Sequence, residues 1–108
     1  MTTEALNADT VRTALRQVKD PELDMNIVEL GLVYDLAIEK LETGGSRVAV
    51  KMTLTAPGCG MGDIIADDAR RRIATIPGVA DADVQVVFDP PWNQSMMSEA
   101  AKLELGMR

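Results

Sequence analysis

Histidine is absent from this 108-residue chain, and cysteine occurs once, at Cys59. Without an imidazole there is no Cys-His or Ser-His pair, no histidine general base and no histidine-ligated zinc. A lone thiol cannot close a disulfide within the chain or complete a four-cysteine metal site, so a soft metal would need further ligands from elsewhere. Aromatic residues are nearly as scarce. Tyr34, Phe88 and Trp92 are the whole set, which leaves Val, Ile, Leu, Ala and Met to build the interior. No apolar run approaches the ~20 residues of a membrane-spanning helix, and the N-terminus has neither a basic n-region nor an apolar h-region, so a cytoplasmic protein away from membranes is expected. The formal charge of −6 opposes sequence-independent binding to nucleic-acid phosphates. Arg70-Arg71-Arg72 is the one basic cluster. With Asp67 and Asp68 beside it, it reads as a solvated helix face carrying i,i+3 and i,i+4 ion pairs.

What is present fits a single small domain, residues 1–108. Asn7 is placed to cap a first helix, with Asp9 in its first turn and Leu6 set to staple onto Val11. Val11, Ala14, Leu15 and Val18 give that helix one apolar face, and Pro21 predicts its end at about Asp20. Residues 26–31 read as a loop with apolar anchors. Strand alternation follows, with Leu32, Tyr34, Leu36 and Ile38 on one face, and after a turn at Thr43-Gly44-Gly45-Ser46 it resumes with Val48, Val50, Met52 and Leu54, predicting a β-hairpin. A second helix begins near Gly60 to Gly62, carries the apolar stripe Met61, Ile64, Ile65, Ala69, Ile73 and Ile76, and closes at Pro77-Gly78. Val84, Val86 and Phe88 mark a third strand that Asp89-Pro90-Pro91-Trp92 terminates. Ser98 opens a short last helix through Ala101, Leu103 and Leu105. The expected fold is α+β: a two-layer sandwich in α-β-β-α-β order, with a three-stranded sheet, helices on one side and a short C-terminal helix. Open sheet edges in so small a domain make a homodimer the expectation.

The chemistry-bearing stretch is 53–63. Pro57 ends the strand ladder, and Gly58 and Gly60 flank the thiol and leave the backbone approachable. A helix starting just beyond turns its unpaired N–H groups and positive dipole end toward the Cys59 sulfur, which favours thiolate. Cys59 therefore reads as an accessible ligand or nucleophile, against the competing reading of a small buried hydrophobe. Thr53 and Thr55 fall on the strand face opposite Met52 and Leu54, at the end that leads to Cys59. Asp20-Pro21-Glu22 is a stiff turn bearing two carboxylates, and such turns are also common wherever helices stop.

Four ordered motifs carry a resemblance: Asp20-Pro21-Glu22, residues 26–34, residues 53–59, and Phe88-Asp89-Pro90-Pro91-Trp92. Together they resemble the SufT/PaaD-like family of metal-sulfur cluster assembly proteins. Gly60-Met61-Gly62 and the tail from Trp92 through Met96-Met97-Ser98 to Leu105 are most similar to the SufT branch. The resemblance implies a cytoplasmic iron-sulfur maturation factor rather than an enzyme, working with SUF assembly proteins and client apo-proteins. It implies no tightly bound cofactor, only transient iron or an iron-sulfur cluster. It further implies one site, in which Cys59, Asp20 and Glu22 engage metal or cluster and Thr53, Thr55, Gly58, Gly60 and Asn26 support them. A metal-free adaptor is the competing function, with Trp92, Met96 and Met97 beside Pro90-Pro91 as an apolar surface for SUF components or clients.

Overall fold

The computed structural model describes residues 6–21, 23–55 and 62–106. Helix α1 spans Ala8–Leu15 and begins as its sequence requires: the Asn7 side chain accepts from the Thr10 N–H at 2.9 Å. It stops earlier than expected. Instead of running to about Asp20, the chain leaves the helix after Leu15 and forms a short antiparallel ribbon, β1 (Lys19–Asp20) against β2 (Met25–Asn26). The reason lies in hydrogen bonding. Pro21 disfavours helix at Asp20, and in the ribbon the backbone finds other partners, with Asp24 N–H on the Asp20 carbonyl at 2.8 Å and Ile27 N–H on the Val18 carbonyl at 3.0 Å. Asp24 makes the reversal at φ 52°, a conformation that Asp tolerates better than most residues.

The main sheet has three strands in the order β3 (Val33–Lys40), β4 (Ser46–Met52), β5 (Val79–Val86). β4 is central, antiparallel to β3 and parallel to β5, and α2 (Gly62–Ala74) makes the crossover. Its alternation is what a half-covered central strand demands: Val48, Val50 and Met52 are buried while Arg47 and Lys51 are exposed. Leu36 and Ile38 sit opposite Val50 and Val48. Near the start of β3 the register shifts between Val33 and Asp35, so Tyr34 is an extra residue that interrupts the alternation expected of it. β5 ends sooner than its apolar pattern predicts. Its last rung is Met52 with Val86, and Phe88, expected within the strand, lies beyond it and is 50% exposed.

α1 and α2 pack on one another and on the sheet, closing a core of Val11, Leu15, Ile65, Ala69 and Ile73 over Val48, Val50 and Met52. The opposite sheet face is charged, with Arg47 bridging Asp81 at 3.4 Å and Asp83 at 3.6 Å. This is the anticipated two-layer arrangement. Two stripe residues depart from it. Ile64 is 59% exposed, because it lies about 100° around the helix from Ile65, and Leu103 is 75% exposed while Ala101 of α3 (Glu99–Glu104) is buried. Met61, the first residue of the expected stripe, lies outside the described residues. Ser98 caps α3, its hydroxyl accepting from Ala101 N–H at 3.1 Å. The basic cluster is paired as its spacing predicts, Arg70 and Arg71 with Asp67, and Arg72 with Asp68. Among the described residues no helix is long and apolar enough to cross a membrane.

Candidate functional site

Asp20 is 3% exposed although it belongs to a strand of two residues. The ribbon places it there: Met25 directly opposite is buried in the core, and Ile27, two residues on, is fully buried, so the turn is pinned from beneath. Beyond β4, Thr53 continues the strand by donating its N–H to the Leu32 carbonyl at 2.8 Å, and it too is buried. Thr55 comes two residues later. Its hydroxyl donates to Asp20 Oδ2 at 3.2 Å, across 35 residues of sequence. The two ends of the expected site thus meet, a buried carboxylate and a hydroxyl standing four residues before Cys59.

The return of the chain is also fixed. α2 begins at Gly62, and a Cβ there would lie 2.7 Å from Leu54 Cδ1, so glycine lets the first turn of the helix rest against the end of the strand without displacing the Leu54 side chain. Leu54 and Gly62 therefore hold close together the two points where the described chain leaves and re-enters around residues 56–61. Cys59, Gly58 and Gly60 lie within those six positions, outside the described residues, and so does Glu22. Among the described residues no group of three or more Asp, Glu, Cys or His is arranged to hold a metal ion. An oxygen ligand from Asp20 would have to be joined by groups from elsewhere.

Asn26 organises the turn that follows β2. Its side-chain oxygen accepts from Glu29 N–H at 2.9 Å and its carbonyl from Leu30 N–H at 3.2 Å, which folds residues 26–31 into a compact turn over Ile27 and Leu30. That turn is a spacer. Ile27 N–H bonds back to Val18 on the Asp20 side, and the Leu32 carbonyl accepts from Thr53 on the Thr55 side.

Of the residues expected to form an apolar surface, Met97 is buried in the core while Trp92 and Met96 are partly exposed. Met97 is 4% exposed and belongs to the core, because α3 folds back and carries it inward. Trp92 is half-buried against the core, its indole N–H donating to the Leu30 carbonyl at 2.7 Å. Met96 is half-buried, and its sulfur accepts from the Tyr34 hydroxyl at 3.4 Å; the same hydroxyl reaches the Pro90 carbonyl at 2.8 Å.

Sequence reading missed Glu29. Its carbonyl accepts from Ser98 N–H at 2.8 Å, its carboxylate takes the Ser98 hydroxyl, and Arg16 Nε approaches the other carboxylate oxygen at 3.6 Å. Nothing local signals a contact 69 residues long. The one hint is Gly31, at φ 77°, where a Cβ would fall 2.1 Å from the Met96 carbonyl oxygen.

Comparison with known proteins places the chain among relatives over most of its length. A family described as iron-sulfur cluster assembly protein matches residues 8–86. The Fe-S protein maturation auxiliary factor YitW of Bacillus subtilis is 43% identical over 105 residues, 97% of this chain and 98% of that protein. The Fe-S protein maturation auxiliary factor SufT of Staphylococcus aureus is 43% identical over 90 residues, 83% of this chain and 98% of its own. A crystal structure of a DUF59 domain of unknown function from Bacillus anthracis is similar with a TM-score of 0.80 and 39% identity, over 93% of this chain and 92% of that one.

Proposed function

This chain belongs to the iron-sulfur cluster assembly protein family, and from that premise we propose that it is an iron-sulfur protein maturation factor: a carrier that engages iron or a cluster as cargo and delivers it to client apo-proteins. The cargo is met by the Cys59 thiolate, with Asp20 and Glu22 as hard oxygen donors and Thr53 and Thr55 beside them. The observation that supports this reading is the hydrogen bond from Thr55 to Asp20, which brings two distant motifs together at the foot of the segment that bears Cys59.

The chemistry favours transfer over storage. Stable clusters generally take four protein ligands, most often cysteines, so a single thiolate holds its cargo weakly and releases it readily. Two Cys59 thiolates across a homodimer would tighten the hold without making it permanent. The working partners in this reading are SUF assembly proteins in the cytoplasm, and the protein itself carries out no catalytic step.

Anaerobic reconstitution with iron and sulfide, followed by transfer to an apo-enzyme, tests it. Cys59→Ser should abolish activation of the client while the folded far-UV spectrum and Tm stay as in wild type. Full client activation by the variant would overturn the proposal.

A further inference from the structure

The C-terminal segment, residues 87–106, lies beyond the part of the chain that the family match covers. It holds the piece of chain that stands between Asp20 and Thr55. The turn at 26–31 links the two sides of the site, through Ile27 N–H to Val18 at 3.0 Å and through the Leu32 carbonyl to Thr53 N–H at 2.8 Å, while Leu32 N–H closes onto Ile27 at 3.0 Å. The turn is thus a hydrogen-bonded link between the Asp20 and Thr55 sides. From its outer side the tail grips it at three successive residues: Ser98 N–H and hydroxyl on Glu29, the Trp92 indole N–H on the Leu30 carbonyl, and the Met96 carbonyl seated where Gly31 leaves room.

We infer that Trp92 and Ser98 are positioning residues for the site: by clamping residues 29–31 they fix the turn that holds the Asp20 carboxylate against Thr55. The inference rests on the proposed carrier site but deepens it, since it assigns the tail a part in setting that site's geometry. The Ser98 hydroxyl also caps α3 and Trp92 also packs on the core, so their loss lowers global stability as well; geometry is separated from folding by comparing exchange at the turn with the global midpoint. A purely structural tail would lower global stability without loosening this turn in particular.

The experiment compares the full chain with Trp92→Phe, Ser98→Ala and Ser98→Thr, reading amide hydrogen exchange under native conditions together with the global urea midpoint. In Trp92→Phe and Ser98→Ala the Ile27, Leu32 and Thr53 amides should exchange about three- to tenfold faster, the effect of one lost hydrogen bond. Amides of Val48 and Val50 should keep the wild-type ratio to global unfolding, and Ser98→Thr, which retains the hydroxyl, should restore protection. Client activation should fall in the same two variants and recover in Ser98→Thr. Unchanged exchange at Ile27 and Thr53 overturns the inference, and so does acceleration spread evenly over all amides. Should Cys59→Ser and Asp20→Asn activate clients normally, the carrier site itself fails, and the exchange pattern still decides whether the tail sets this turn.

Discussion

The two ends of the three-stranded sheet are assembled in different ways. At one end, residues 41–45 turn β3 into β4, residues 75–78 turn α2 into β5, and the turns meet where Ser46 N–H donates to the Gly78 carbonyl at 2.8 Å. Within each turn the bonds join near neighbours, such as Leu41 N–H to the Gly45 carbonyl at 3.0 Å and Ile76 N–H to the Ile73 carbonyl at 3.0 Å. At the other end the partners are far apart in sequence: 35 residues for Thr55 and Asp20, 56 for Tyr34 and Pro90, 62 for Trp92 and Leu30, and 69 for Ser98 and Glu29. Closing several long loops costs entropy that short turns do not, so the second end exists only because burial of Ile27, Leu30, Leu32 and Met97 offsets that cost. The end that is harder to assemble carries the candidate site. A rigid hairpin supplies the platform, and function gathers where separate stretches converge on it.

Glycine substitutions would separate the two ends most sharply. Gly31→Ala must place a methyl group 2.1 Å from the Met96 carbonyl oxygen at φ 77°, and a loss of about 3 kcal/mol or more is expected, read as a lowered urea midpoint. Gly44→Ala, at φ 99° in the open turn with nothing within 4 Å, should lose only about 1–2 kcal/mol. Equal losses would erase the distinction. Next in size is the contact at the site. A double-mutant cycle of Thr55→Val with Asp20→Ala should return a coupling near 1 kcal/mol, and each single variant should slow client activation; additive changes would mean that the bond carries no weight.

A smaller effect belongs to the outer helix face, which is part of neither end. Ile64→Ala should stay within about 0.5 kcal/mol of wild type, because Ile64 is exposed where its neighbour Ile65 is buried in the core. The smallest effect is electrostatic. The hydrogen bond from Arg70 holds the Asp67 carboxyl below the usual carboxylate range, with the Arg71 charge adding to it. Its folded-state pKa is thus lower than its unfolded one. The stabilisation is present above the unfolded pKa of about 4 and disappears as pH falls through the folded value. Arg70→Ala should make the acid-side decline of the urea midpoint shallower; an unchanged slope would show that solvent screens the pair completely.

How much was legible follows the same division. The Asn7 and Ser98 caps, the alternation of Val48, Val50 and Met52, and the pairing of Arg70, Arg71 and Arg72 with Asp67 and Asp68 all rest on spacings of a few residues, and all are present. The end of α1, the bulge at Tyr34 and the inward turn of Met97 were not legible. Each depends on a partner that only folding brings near: β2 for the chain after Leu15, Pro90 and Met96 for Tyr34, and the core for Met97. Asp20 and Thr55 were expected in one site only from the motifs that resemble the family, the hydrogen bond between them was not foreseen, and Asn26, named with them, shapes the adjoining turn.

The chain alone settled its periodic elements, the single thiol and the want of any imidazole, because these are matters of residue type and short spacing. Tertiary structure decided which distant side chains share a place. A hydrogen bond between residues 35 positions apart leaves no periodic trace in the sequence, since it is made by the packing of the turn between them rather than by either residue's own preference.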